Sequence, residues 1–416
     1  MKLVTQLTLV AGAVSLVFST QVLAEKLVFL TEALIDQTRD VLKSGQIAPD
    51  MQRSYSRLLE EANTALTAGP FSVTSKGMTP PSGDKHDYLS ISPYWWPDES
   101  KSNGLPWIRK DGKTNPASKN DETDSVRIGL FTRSVRALAL AYYFSGDEKY
   151  AKQGIDYVRA WFITPETRMN PNMNFAQGVP GVADGRRSGL IDSRVLADRM
   201  VDSFAILSKS PAWSAQDSAG VNQWLGEYLD WLQTSKLGMG EADSENNHGS
   251  WYDLQVAAIA YYLGQDDLAR KMVEKGKTRV ASQFNRKGEQ EHELARTRSY
   301  HYSYFNLDAL THLAQIGTKV NVDLWNYQAP NGASLQAGLR MMADYQDPAK
   351  EWRWDNLGER SVQRMLPLYR KAAVAYDNAD FRKLSQTGKF ADISVGKNLA
   401  DVWVERDVML LYPLAK

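Results

Sequence analysis

Two segments of this chain carry side chains for which a helical core has no use. Glu245-Asn246-Asn247-His248-Gly249-Ser250-Trp251-Tyr252 sets two amides and an imidazole at the head of an apolar stretch. Helix capping accounts well for one of these polar residues and badly for three. About fifty residues on, Glu293-Leu294-Ala295-Arg296-Thr297-Arg298-Ser299-Tyr300-His301-Tyr302-Ser303-Tyr304-Phe305-Asn306-Leu307 is denser in Arg, Tyr and His than a solvated face or core stripe requires. Arginines stacked on tyrosines would be its plain packing explanation. Amides, guanidinium groups, imidazole and phenol together offer donors for an anion and groups that can pass a proton.

A third segment, 71–124, is a long irregular loop too aromatic to be disordered. It holds Lys85 and His86, then Ser92-Pro93-Tyr94-Trp95-Trp96-Pro97-Asp98, then Trp107 and Arg109. Flat rings beside cations suit a wall for charged sugars, with rings against pyranose faces and cations against carboxylates. Trp95 and Trp96 could equally plug the top of the fold. The loop 172–187 is rich in Gly, Asn and Arg and ends on Arg186-Arg187. It reads as a ligand wall or as an ordinary solvated loop.

The elements that must position these loops are helices. Apolar residues recur three and four apart over 30–42, 51–66, 126–144, 150–162, 190–207, 221–232, 248–263, 268–284, 294–316, 335–345 and 362–376. Strict alternation is rare, so any sheet should be minor. Ala141-Tyr142-Tyr143-Phe144-Ser145-Gly146-Asp147 is echoed by Ala260-Tyr261-Tyr262-Leu263-Gly264-Gln265-Asp266. Two such helix–turn–helix units suggest stacked antiparallel hairpins, in an open solenoid or a closed α/α toroid. The long, chemically unusual loops favour an all-α toroid, or incomplete barrel, with loops over a cleft.

Composition removes other chemistries. The 416 residues contain no cysteine, so disulfides, thiolate metal sites and cysteine nucleophiles are excluded. The five histidines, His86, His248, His292, His301 and His312, form no metal-binding helix motif. Neither a phosphate loop nor a Gly-x-Ser-x-Gly elbow is present. No metal or cofactor is therefore expected. With 49 basic and 49 acidic residues, bulk capture of nucleic acid is not expected either. Lys2, the apolar run 9–18 and Val22-Leu23-Ala24 read as a signal peptide over 1–24, which predicts a periplasmic or secreted protein. No later run reaches the roughly 20 apolar residues of a membrane span. Residues 25–416 are expected to form one catalytic domain.

The Asn-Asn-His block, the Arg-rich Tyr-His-Tyr helix, Ser-Pro-Tyr-Trp-Trp-Pro-Asp at 92–98 and Glu-Leu-Ala-Arg-Thr-Arg-Ser at 293–299 together resemble the alginate lyase family of polysaccharide lyases. The likeness is closer to the branch acting on alginate and glucuronan, and spans about residues 70–380. It implies an α/α toroid that breaks polyuronates by β-elimination. Such enzymes remove the C5 proton of a uronate and expel the 4-linked oxygen. The carboxylate must be neutralised, since the intermediate is otherwise a dianion-like enolate. Asn247, His248 and an arginine are suitable donors, and loss of one such donor lowers the rate by roughly two to three orders of magnitude.

By the same resemblance, the proton acceptor is a tyrosine that also returns the proton to the leaving oxygen when both lie on one sugar face, as in mannuronate. Where they lie on opposite faces, His248 is base and the tyrosine acid. The pattern Tyr-Ser-x-Phe-Asn-Leu favours Tyr302 over Tyr300. Helix geometry would put Arg298 beside Tyr302, whereas the family pattern favours Arg296. The implied set is Tyr302, His248, Asn247 and Arg296 for catalysis. Tyr94, Trp95, Trp96, Lys85, Arg187, Asn246, Arg298 and Tyr300 are implied for binding an anionic polysaccharide. One departure stands out, since better-known members continue Asn-Asn-His with Ser-Tyr-Trp and this chain has Gly249-Ser250-Trp251-Tyr252. Mannuronate-rich alginate is the expected substrate, with glucuronan as alternative. A glycoside hydrolase would need a carboxylate pair, for which Asp192, Asp243, Glu245 and Glu293 are available without an evident pair. A non-catalytic sugar-binding protein would leave Asn247, His248 and Tyr302 unexplained.

Overall fold

The computed structural model describes residues 26–387 and 399–414. The predicted signal peptide lies outside the described residues. Fifteen α-helices occur among them: α1 (Glu32–Ser44), α2 (Pro49–Ala65), α3 (Asp124–Ser145), α4 (Glu148–Val158), α5 (Val201–Leu207), α6 (Ala215–Thr234), α7 (Lys236–Ala242), α8 (Asn247–Tyr262), α9 (Asp266–Gln283), α10 (Glu291–Leu294), α11 (Ser299–Lys319), α12 (Leu335–Ala343), α13 (Leu366–Tyr376), α14 (Ala379–Leu384) and α15 (Leu399–Arg406). The architecture is the expected α/α toroid. The strands among the described residues are four short pieces: β1 (Leu89–Ile91) pairs in parallel with β4 (Phe175–Gly178), and β2 (Trp95–Trp96) pairs antiparallel with β3 (Ile108–Arg109).

Sequence explains the division into inner and outer helices. α3 and α8 are apolar around most of their circumference and are buried almost throughout, as inner-ring helices must be. Their partners α4 and α9 alternate buried and exposed turns and pack outside them. The repeated turns join these pairs. Gly146 and Gly264 both adopt left-handed φ, 73° and 75°, where a side chain would be strained. Aromatic packing fills the interior, as where Phe131 stacks on Trp161 at 4.4 Å.

The ring closes where the two ends of the chain meet. Buried Glu405 accepts hydrogen bonds from Arg53, at 2.8 Å, and Arg57 of α2. Glu61 accepts from Trp403 and Arg406, and Thr38 of α1 donates to the Leu410 carbonyl at 2.8 Å. Further round, the backbone N–H groups of Val28, Phe29 and Leu30 converge on the buried carboxylate of Asp202.

Two predicted helices are interrupted. The span 190–207 divides into a 3₁₀ segment (Arg187–Ile191), a π turn (Leu196–Met200) and α5. The span 294–316 breaks after α10, and α11 starts only at Ser299. Tertiary contacts impose this second break, because Arg298 bridges to Asn356 and the Asn356 side chain accepts the Tyr300 N–H. No described helix is long and apolar enough to cross a membrane.

Candidate active site

The loop 71–124 is anchored before it reaches the cleft. Lys76 and Asp124, both fully buried, form an ion pair at 3.0 Å, and Asp124 also accepts the Leu89 N–H. Burial pushes the Lys76 ammonium down and the Asp124 carboxyl up, each pull only partly offset by the partner. Asp192 accepts from Tyr88, Ser90 and Gln177, which ties β1 and β4 to the Arg187–Ile191 turn. From these anchors the loop carries Tyr94, Trp95 and Arg109 to the rim of a cleft of about 670 Å³.

α8 supplies one wall. Asn246 caps it, its side chain accepting the His248 N–H, so the capping reading holds for this residue while it also lines the cleft. Asn247 is fully buried. Its backbone N–H and its Nδ2 both donate to Glu293 of α10, at 2.6 and 2.7 Å, and its Oδ1 has no partner among the described residues. Glu293 thus fixes the amide plane while burial pushes its own carboxyl up. His248 Nδ1 lies 2.5 Å from the buried carboxylate of Glu241, which also accepts from Arg187 at 2.8 Å. With Nδ1 engaged there, Nε2 is the ring nitrogen available to the cleft.

The departure at Gly249 has a steric cause. A Cβ there would lie 2.1 Å from the Ser244 carbonyl oxygen and 2.5 Å from Arg279 Nη1. Arg279 fills the space a side chain would take, paired with Asp253 at 2.8 Å and donating to the Ala242 and Ser244 carbonyls. It thereby braces the turn between Glu241 and Asn246 from below.

The linker before α11 and the first turn of α11 supply the opposing groups. Arg296 lies outside the helix with its guanidinium 3.9 Å from the centre of the Tyr302 ring. Asp111, on the loop after β3, accepts from Arg296 at 3.0 Å, Arg109 at 2.7 Å and Thr297 at 2.9 Å, and against the raising effect of burial these partners hold its carboxyl down at about 2. The Tyr302 hydroxyl is 3.1 Å from that of Tyr94. Burial, and then Tyr94, push the Tyr302 phenol well above its ordinary value, with Arg296 pulling the other way. Tyr302 therefore carries its proton at neutral pH.

The cleft collects Tyr302, His248, Asn247, Arg296, Tyr94, Trp95, Arg187 and Asn246. Four predicted residues lie elsewhere. Lys85 donates to the Lys76 and Gly77 carbonyls. Trp96 donates Nε1 to the Lys113 carbonyl and stacks with Lys110. Tyr300 is buried edge-on against Trp352, because residues two apart on a helix point to opposite sides. Arg298, as the residue before the helix, shares a separate small cavity with Tyr300, so the four-residue helical spacing to Tyr302 does not apply. The carboxylates a hydrolase would need are also not paired in the cleft. Asp192 is held in its network, Asp243 and Glu245 are exposed, and Glu293 is buried behind Asn247.

Sequence reasoning missed Glu241, Asp111 and the structural use of Glu293. An acid seven residues before His248 was the available signal for Glu241; Asp111 gave none. Among the described residues no group of three or more His, Asp or Glu is placed to hold a metal ion.

Comparison with known proteins places this geometry. The alginate lyase family model matches residues 72–352. A crystal structure of an alginate lyase from Bacteroides ovatus is similar at 32% identity and TM-score 0.85, over 94% of this chain and all of that one. Alginate lyase A1-III from Sphingomonas species A1 shares the fold at 16% identity and TM-score 0.57, covering 92% of this chain and 95% of that one. A histidine-to-alanine variant of A1-III complexed with a tetrasaccharide gives TM-score 0.60 at 15% identity, covering 92% and 94% of the two chains. No curated protein sequence matches.

Proposed function

The chain belongs to the alginate lyase family of polysaccharide lyases, and on that premise we propose that it cleaves alginate by β-elimination, mannuronate-rich stretches first. One observation carries this reading. Tyr302 is held between the Arg296 guanidinium and the Tyr94 hydroxyl, in the same cleft as His248 and Asn247.

The uronate carboxylate is received by Asn247 and Arg296. Their donors favour the transition state, in which the C5 carbanion pushes charge onto that carboxylate. Asn247 keeps one amide hydrogen on Glu293 and has a second to give. Tyr302 donates its proton to the departing O4 as the C4–O4 bond breaks and the C4–C5 double bond forms. On mannuronate, where H5 and O4 share a face, Tyr302 reacts as the phenolate after passing its own proton to solvent water, accepts H5, and hands that same proton to O4. On guluronate they lie on opposite faces, and His248 Nε2 takes H5 while Tyr302 serves as acid. The leader-like segment 1–24 supports a site of action in the periplasm or beyond it.

The test follows ultraviolet absorbance of the new enol ether conjugated to the carboxylate, on polymannuronate, polyguluronate and glucuronan separately. A rise that is fastest on polymannuronate and abolished by Tyr302→Phe is expected. A faster rise on glucuronan would keep the reaction and replace the substrate. New reducing ends without absorbance would overturn elimination in favour of hydrolysis.

A further inference from the structure

A second cavity, of about 170 Å³, adjoins the catalytic cleft between the first turn of α11 and the segment 356–364. His301, Tyr304 and Arg364 line both spaces and form the partition between them. Arg298, Tyr300, Asn356 and Glu359 line only the second. Two of these, Arg298 and Tyr300, are chemically capable residues for which the cleft has no use.

The polar groups of this cavity are donors short of acceptors. Tyr300 is 2% exposed, and its hydroxyl has no hydrogen-bond partner among the described residues. Burial pushes its phenol up, with Arg360 pulling the other way, so the hydroxyl keeps a proton to donate. Arg298 and Arg364 make no ion pair or side-chain hydrogen bond among the described residues. Arg360, 5.8 Å over the Tyr300 ring, also has a buried Nη1 without a partner. α11 begins here, and a helix of 21 residues turns the positive end of its dipole to this side. Glu359 is the one carboxylate among the lining residues, and it is exposed. The resulting field reaches His301, which is driven down to about 3 by burial first and then by Arg364 and Arg298. A buried hydroxyl and guanidinium groups in this position are unfavourable unless an acceptor meets them.

We propose that this cavity is a binding site for a small tetrahedral oxyanion of the phosphate class, separate from the cleft that takes the polysaccharide. Arg298 and Arg364 are its charged ligands, and Tyr300 donates through its hydroxyl. Phosphate has oxygens for all three donors at once and carries about one to two negative charges at neutral pH, which outweighs the single Glu359. Once bound, it ties the start of α11 to the segment 356–364, two elements already joined by the Tyr300 N–H and the Asn356 side chain. The site does not depend on which reaction the cleft performs.

Thermal unfolding and calorimetry of the full chain with inorganic phosphate test the site, with sodium chloride holding ionic strength constant. Phosphate should raise Tm saturably, as a ligand of the folded state does. Its Kd should weaken roughly tenfold in Arg298→Met and severalfold in Tyr300→Phe, which keeps the ring packed on Trp352. Arg298→Lys should recover part of the loss, and Arg133→Met, which alters the cleft instead, should leave Kd unchanged. Phosphate that shifts Tm no more than chloride does would overturn the proposal. So would an unchanged Kd in both Arg298→Met and Tyr300→Phe. A loss confined to Arg133→Met would place the anion in the cleft and overturn it equally.

Discussion

Asp111 and Arg296 form an ion pair at 3.0 Å that joins the aromatic loop to the linker beneath it, so one contact both seats the loop and fixes the guanidinium over Tyr302. Asp111→Ala removes hydrogen bonds from Arg109, Arg296 and Thr297 at a partly buried position. It should lower kcat/KM roughly tenfold, as loss of a hydrogen bond to a charged group does. The Asp111 carboxyl is held at about 2 in the fold, below its usual value near 3.9. This stabilisation is present above the unfolded value and is lost as pH falls through the folded one. Loop seating should hold unchanged through the neutral range and release only in strong acid, measurable by tryptophan fluorescence against Asp111→Asn.

Tyr302 gives the reaction its pH signature. Its phenol titrates above the ordinary value of about 10. The fraction ionised, and with it the rate on polymannuronate, should climb with pH through the neutral and mildly alkaline range. On polyguluronate, where Tyr302 only donates, that climb should be missing. Tyr302→Phe should remove roughly 10²–10⁴-fold of the rate on both. Parallel pH profiles on the two polymers would contradict the assignment of bases.

Glu241 orients His248 from behind. Glu241→Ala frees Nδ1 and releases Arg187 as well. Guluronate cleavage should fall by about 10²-fold, mannuronate cleavage much less, with kcat moving more than KM. An equal loss on both polymers would indicate a general collapse of the wall.

Gly249→Ala tests the brace. The new methyl meets the Ser244 carbonyl and Arg279, neither of which can yield without disturbing the turn that carries Asn246. A loss of about 1–3 kcal/mol in stability is expected, as for other overpacked positions. Thermal unfolding measures it.

Lys76→Met leaves Asp124 buried with only Arg127 as ionic partner. Removing one member of a buried pair costs about 3–5 kcal/mol, and Arg127 should hold the loss near the lower end. Thermal unfolding should show the drop, with activity falling as the loop 71–124 loses its anchor.

The helices were legible because their apolar spacing survives the fold nearly intact, as at 126–144 and 248–263, where the observed ends differ by one or two residues. The break at 295–298 was not, since apolar spacing runs straight through it and its causes, Asp111 and Asn356, lie far away in sequence. Asn247, His248, Arg296 and Tyr302 stood out because each is poor core material. Lys85 and Trp96 have the same composition signal, yet their polar atoms face carbonyls of their own loop. The arginines on the inner wall of the cleft were overlooked for the opposite reason. Arg133 and Arg136 sit inside a helix whose apolar pattern invites them to be read as turned toward solvent, and only the closed ring turns them inward.

That closure also sets when the molecule can work. α15 and the Asp407–Leu411 turn after it meet α1 and α2 through Glu405, Arg406 and the Leu410 carbonyl, and Trp403 forms part of the inner wall. During synthesis, the Asn247–His248 wall and the Tyr302 turn emerge more than a hundred residues before the Leu410 carbonyl that completes the circle. A nascent chain halted short of residue 403 would hold every proton-transfer group and still lack part of the vessel around them. Competence should thus arrive late and in one step, when the last turns dock onto the first.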